Sequence, residues 1–229
     1  MTALNRFRTL LPVTLFGILL TFLSLDAEAG RKKVRLTVSE ANAEIFVNGE
    51  PMGRGSLLLE IPGYTNATVE VKKTGYFTET ITFYNTPGNP KPPKAFHVKM
   101  FVDDAYEAST QTDIANLDLE LKTSKGEDDA WLIINSVVLN YIDVIEVTDK
   151  ETAYLRTAWQ VQNFSKATIR TRVIIKMGAR DPLSYKMKLI SEIADKPGVS
   201  PKEDQSFKEW DRVLRKYAPM VTELPSRVQ

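Results

Sequence analysis

Six cations, Arg156, Arg170, Arg172, Lys176, Lys186 and Lys188, occupy even-numbered positions in three neighbouring segments whose odd-numbered positions are largely apolar. Alternate residues of an extended strand share a face, so the spacing predicts one basic sheet face. Gln160 and Gln162 fall on the same parity, and only Glu192 opposes the cations. Such a face can hold an anion through charge-assisted hydrogen bonds: a lipid headgroup, an envelope polysaccharide or an acidic protein. The competing reading is a solvated face whose acids come from loops. Like charges opposed across strands destabilise a sheet, and ordinary surfaces intersperse signs.

The other residues offer little catalytic chemistry. The 229-residue chain has no Cys and one His, which removes thiolate catalysis, disulfides, thiolate zinc sites and His-rich metal sites. His97 lies between Phe96 and Val98 in a strand pattern with no acid–base partner in view, and reads as a structural residue. Asp103-Asp104 and Glu127-Asp128-Asp129 can be drawn as metal or acid–base sites. Adjacent acids on a link or at a helix start, however, more often serve solvation and the helix dipole. The sequence holds no phosphate-cradling Gly-rich loop, metal-ligand spacing or nucleophile elbow. No catalytic residues, metal or cofactor are therefore expected. Lys and Arg number 30 against 29 Asp and Glu, a net charge of +1, so no global field steers the protein to nucleic acid.

The elements that position these residues begin after an address. Arg6 and Arg8 precede an apolar run from Leu10 to Leu25, and Ala27-Glu28-Ala29 offers the small side chains that signal peptidase accepts. Residues 1–29 are expected to be a cleaved signal peptide, with Gly30 as the mature N-terminus. The apolar run, about 16 residues, falls short of the roughly 20 needed to span a bilayer, so no permanent span is expected in the mature protein. Retention as an inner-membrane anchor is the competing reading. Export without cysteine fits the bacterial periplasm or cell surface.

From Val34 to Met100 the apolar residues alternate: Val34, Leu36 and Val38; Ala43, Ile45 and Val47; Leu57 and Leu59; Val69 and Val71; Phe77 to Tyr84; then Phe96, Val98 and Met100. Asn48-Gly49, Pro62-Gly63 and Gly75 supply turns, and Asn85 to Lys94 is a Pro-rich loop before the last strand. Short strands with frequent turns predict a small all-β sandwich over residues 30–102. The run Ala43-Glu44-Ile45-Phe46-Val47-Asn48-Gly49, then Gly53, Leu57, Pro62-Gly63, Val69-Glu70-Val71 and Gly75-Tyr76, resembles the PEGA domain, a β-sandwich module of exported and cell-surface bacterial proteins. The signature that names the family falls at Glu40-Ala41-Asn42-Ala43, where only the last residue matches. Asn42 replaces Gly, as the side chain that best tolerates the left-handed region, and Glu40 replaces Pro, which loosens the turn. The resemblance implies a binding or spacer role in the envelope and no catalytic residues.

Residues 103–113, small and acidic, read as an inter-domain link. Residues 114–229 read as an α+β domain, an antiparallel sheet flanked by two helices. Leu117, Leu119 and Leu121 predict a strand. Ser124-x-x-Glu127 is a possible capping box for a helix carrying Trp131, Ile134, Val138 and Ile142, with strand as an open alternative, and Tyr141 to Val147 leaves as a strand. Three further strands follow, with Leu155, Trp159 and Val161 sharing one face of the first. Ile169 to Met177 line the second and Tyr185 to Ile193 the third. Phe207, Trp210, Leu214, Tyr217 and Val221 predict a final helix from about Pro201, ended or kinked at Pro219. This half is faintly similar to the helix-grip domains of outer-membrane assembly lipoproteins.

The sequence thus predicts a two-domain, non-enzymatic, exported envelope protein that acts by binding an envelope protein or an anionic envelope polymer or lipid headgroup. The alternative is an accessory protein or weak hydrolase of cell-wall or envelope polysaccharide, which would need a carboxylate pair about 5–10 Å apart in a cleft.

Overall fold

The computed structural model describes residues 30–111 and 114–229; the expected cleavage residues Ala27 and Ala29 lie outside them. Strands dominate, most of them paired antiparallel, with three α-helices and one short 3-10 helix among the described residues. The first seven strands are β1 (Lys32–Val38), β2 (Glu44–Val47), β3 (Glu50–Arg54), β4 (Ser56–Ile61), β5 (Asn66–Lys72), β6 (Glu79–Tyr84) and β7 (Ala95–Val98). They form two sheets, ordered β4-β1-β7 and β3-β2-β5-β6, with β1 and β7 parallel. Val34, Leu36, Ile45, Ile61, Val69 and Val71 are fully buried between them. Their alternation with polar residues is what gives each sheet one apolar face to bury.

The turns show which local signals acted. Asn48 and Gly49, both at positive φ (52° and 87°), make the tight β2–β3 hairpin. The Asn48 side chain also accepts from the Thr68 N–H at 2.9 Å, tying the turn to β5. After Pro62 the left-handed residue is Tyr64 rather than Gly63, and Asn42 is not left-handed. Glu40 does not loosen its turn. Its backbone carbonyl accepts from Ala43 N–H, and its side chain pairs with Lys73, which lies over the Tyr76 ring.

A second core collects the rest of the chain. The expected link carries structure: α1 (Asp104–Glu107) and β8 (Ser109–Gln111), with Ala105 in the second core. Then come β9 (Asp118–Lys122), α2 (Glu127–Tyr141), β10 (Ile145–Asp149), β11 (Tyr154–Thr157), β12 (Gln160–Asn163), β13 (Thr168–Arg180) and β14 (Leu183–Ala194). The chain ends with β15 (Lys208–Glu209), β16 (Arg212–Leu214) and α3 (Ala218–Val228). The long β13–β14 hairpin is the spine of a seven-stranded sheet. β11 and β12 flank β13, β10 lies outside β11, and β9 and β15 share the far edge of β14. Ile169, Val173, Ile175, Tyr185, Met187 and Leu189 line its buried face, under Trp131, Ile134 and Val138 of α2 and Met220 and Leu224 of α3. β8 and β16 pair as a separate two-stranded sheet at the edge of the same core.

Several local expectations change. The final helix does not begin at Pro201: Lys208–Glu209 and Arg212–Leu214 are strands, and Pro219 sits in the first turn of α3 instead of ending it. Proline fits there because the first helical N–H groups have no internal acceptor. The capping box does not form. Gly126 is the N-cap of α2, and the Ser124 hydroxyl donates instead to the carbonyl of Gln229 at 2.8 Å, while Thr123 donates to that of Val228 at 2.6 Å. Both hydroxyls thereby satisfy carbonyls at the C-terminal end of α3 that lack helical partners.

Two glycines allow a test of the first two sheets. A Cβ at Gly49 meets no atom within 4 Å, so the cost of Gly49→Val is chiefly left-handed strain, about 1–3 kcal/mol. A methyl group at Gly55 (φ 66°) would lie 2.3 Å from the Ala41 carbonyl oxygen. Gly55→Ala should therefore lower the urea midpoint more than Gly49→Val, although it adds the smaller side chain.

Candidate functional site

The site is the sheet face opposite α2 and α3. The parity of β13 and β14 holds along the hairpin: Arg170, Arg172, Lys176, Lys186 and Lys188 all leave the face that carries Ile169, Val173, Ile175, Met187 and Leu189. Arg156 joins them through its pairing with Ile174.

The parity breaks in the neighbouring strand. β11 pairs Leu155 with Ile175, whereas β12 pairs Val161 with Arg170, so one extra residue lies between the two registers. A single inserted residue exchanges the faces of all that follow. Leu155 is therefore buried, while Val161 is 37% exposed on the charged side, and Gln160 and Gln162 move off that side. Leu155, Trp159 and Val161 do not share a face. The Thr157 hydroxyl accepts from the Val173 N–H at 2.9 Å across the gap. Trp159, at the break, swings over the charged face, and both the Arg170 and Arg172 guanidiniums lie close to its ring centroid, at 4.2 and 4.0 Å.

The six cations are not equivalent. Arg170 is 3% exposed. Its Nε donates to Glu192 at 2.6 Å, and its Nη1 donates to Asp204 at 2.7 Å and to the Pro201 carbonyl at 2.5 Å. The Phe207 ring covers it at 4.1 Å. Arg170 thus anchors the 201–207 segment onto the sheet and is not displayed to a partner. Arg156 pairs with Glu146 at 3.1 Å. Asp118 bridges Lys176 at 2.8 Å and Lys188 at 3.3 Å. Lys186 stands opposite Lys176 on one side and Glu120 on the other, exposed and without an ion pair within 4 Å among the described residues. Arg172 is half-buried. Its Nε has no acceptor, and no carboxylate lies within 4 Å of its guanidinium. Burial, with Arg156 and Arg170 nearby, pulls its pKa below the usual arginine value.

The acids that answer this face come chiefly from neighbouring strands. Asp118 and Glu120 stand on β9 and Glu146 on β10, with Asp204 contributed from a short 3-10 turn, Asp204–Ser206, after β14. Sequence reasoning missed them because strand adjacency is non-local, although the alternation of Leu117, Leu119 and Leu121 with acids was the available signal. Asn116 was also missed. At φ 63° its side chain accepts from the Ser191 N–H at 3.0 Å and donates to the Ser191 and Trp210 carbonyls, filling the edge of β14 between β9 and β15.

The acidic pairs drawn from the sequence have structural partners. Asp103 accepts from the Ala105 and Tyr106 N–H groups as the N-cap of α1, and Asp104 accepts from the Ser165 N–H and hydroxyl at 2.9 and 2.7 Å. Glu127, Asp128 and Asp129 occupy the first turn of α2, where Asp128 pairs with Lys150 at 2.8 Å. His97 Nδ1 lies 3.0 Å from the Thr37 hydroxyl. Among the described residues no three His, Asp or Glu side chains gather as metal ligands would.

Two measurements check this division. Arg170→Gln leaves the mostly buried Glu192 without its cation and should cost about 3 kcal/mol in urea unfolding. Arg172→Gln and Lys186→Gln, which break no ion pair, should each stay within about 1 kcal/mol. The Lys176 ammonium holds the Asp118 carboxyl below its ordinary value, with Lys188 adding to it. A depressed carboxyl stabilises the fold fully above its unfolded pKa, about 3.9, and the contribution is lost as pH falls through the lower folded value. Asp118→Asn should therefore flatten the fall of stability below about pH 4 relative to the wild type, measured by thermal melts across pH 2–6.

No family model matches the chain and no curated protein matches it, so the reading of this face rests on its geometry.

Proposed function

We propose that this chain is a non-enzymatic, exported component of the bacterial cell envelope, acting by binding in the periplasm or at the surface. It is read as two domains, a PEGA-like β-sandwich over residues 30–102 and an α+β domain over residues 114–229, the first serving as a spacer or binding module and the second presenting the sheet face. The partner is an acidic envelope protein or an anionic polymer or headgroup. No helix among the described residues is long and apolar enough to cross a membrane.

The observation that carries this reading is Arg172. It sits in the middle of a sheet whose other face α2 and α3 cover, with a buried Nε that lacks an acceptor and a guanidinium that has no carboxylate within 4 Å among the described residues, Glu192 and Glu146 acting on it only from farther away. A buried polar group without a partner is costly, and an incoming carboxylate or phosphate oxygen would complete it. Ile174 and Ile190, half-buried beside Lys176 and Lys188, give the same surface apolar area between its charges. An exposed, rigid, mixed face of this kind suits docking of a macromolecule better than enclosure of a small substrate.

The double variant Arg172→Gln, Lys186→Gln should fold normally and recover less partner from a bacterial envelope extract, and wild-type recovery should weaken as salt rises. Unchanged recovery would remove the anionic-partner reading. Export is tested separately by intact mass: envelope-extracted protein should begin at Gly30, and retention of residues 1–29 would favour the anchored form.

A further inference from the structure

A second cation without an ion pair lies on β16, at the junction of the two hydrophobic cores. Arg212, on β16, is 8% exposed. Its Nε donates to the Ser109 hydroxyl at 2.7 Å, and its Cζ stacks 3.8 Å from the Tyr106 ring centroid. These are neutral partners, and no carboxylate of the described residues comes within 4 Å of the guanidinium. A buried cation is normally paired, because desolvation costs several kcal/mol that neutral hydrogen bonds offset only in part.

Arg212 lines a cleft of about 350 Å³. Phe77 enters it from the first two sheets, Tyr106 from α1, Lys166 from the β12–β13 turn and Trp210 from between β15 and β16. The junction that frames it is held by main-chain bonds, from Phe77 N–H to the Phe101 carbonyl and from Asp103 N–H to the Gly75 carbonyl, both 2.9 Å. Asp104 bound to Ser165 and Lys166 lying 4.2 Å from the Phe77 ring centroid add to these. Two acids also line the cleft, but both are engaged elsewhere: Asp103 caps α1, and Asp195 pairs with Lys208 at 2.6 Å. The net result is a cleft of small-molecule size, walled by three aromatic rings, whose most buried polar group is a cation with no carboxylate within 4 Å among the described residues.

The geometry points to a binding site for a small organic acid, with its carboxylate on the Arg212 guanidinium and an apolar or planar body among Phe77, Tyr106 and Trp210. Arginine's planar fork suits a carboxylate in two parallel hydrogen bonds, and the rings offer stacking surface for the body. Phe77, from the segment between β5 and β6, faces walls otherwise built from residues 103–212, so occupancy would also hold the two halves in one relation.

The test compares 3-phenylpropionate with its neutral amide, 3-phenylpropanamide, by isothermal titration against the full-length mature protein. The acid should bind saturably and at least about tenfold more tightly than the amide, a difference of about 1.4 kcal/mol. Arg212→Gln should remove that preference, and Phe77→Ala should weaken the acid several-fold while Arg212 remains in place. Equal binding of acid and amide, no saturable binding of the acid up to about 10 mM, or an unchanged preference in Arg212→Gln would each overturn the assignment. The acid–amide comparison uses the wild type alone, so it decides the matter even if Arg212→Gln fails to fold.

Discussion

The antiparallel register of β13 on β14 sets the layout of the second half of the molecule. Val173 opposite Leu189 and Ile175 opposite Met187 put an apolar strip on one side of the hairpin, interrupted toward Ile169 by the buried Thr171–Ser191 pair, and that strip is what α2 and α3 cover. The same pairing forces Arg170 opposite Glu192 and Lys176 opposite Lys186 on the other side. A slip of one residue would drive the cations into the core and the isoleucines into water, so the hydrophobic term and the charge pattern enforce a single register. The flanking strands then have defined edges to join, and each brings either apolar residues to the buried face or carboxylates to the charged one.

The charged face shows how one residue pattern can serve two purposes. Lysines 176 and 188 share a single aspartate in partly exposed surroundings, where each pair contributes little to stability because water screens it. Arg170 has a fork of three acceptors and two aromatic rings around a buried guanidinium, and removing one member there exposes a large desolvation penalty. The difference lies in the chain after β14. It folds back from Val199 to Phe207 and roofs one end of the face, converting Arg170 from surface to structure. The rest of the face stays open.

At the junction of the cores, backbone bonds and side chains from both halves meet around α1 and the β12–β13 turn. Tyr76 bridges to Val102, a Cβ added at Gly75 would lie 3.4 Å from the Tyr106 ring, and Ala105 enters the second core two residues after Asp103 caps the helix. A segment with this many commitments to both sides transmits the position of one half to the other, which a loose tether would not. The cleft lined by Arg212 opens within this same contact.

The sequence alone determined the alternation and its consequences: strands through Val34–Val38, Ile169–Met177 and Tyr185–Ile193, the Asn48-Gly49 hairpin and the parity of the basic residues, while it left helix and strand both open over Trp131–Val138. These follow from local rules, since a side chain's direction in a strand and the φ of a tight turn depend on adjacent residues only. Tertiary structure decided the rest. The spacing of Phe207, Trp210, Leu214 and Tyr217 fits a helix as well as any stripe does, but β14 and β8 offered unpaired edges, and strands formed against them. The extra residue before Gln160 leaves no mark in composition, yet it reverses the faces of Val161 and Gln162. Whether a cation is displayed, neutralised or buried was also undecided by its own neighbours, because Asp118, Glu146, Asp204 and Trp159 reach it through strand adjacency and chain reversal. Charge pairing acts over a few ångströms in space, and the fold alone sets which residues come within that distance.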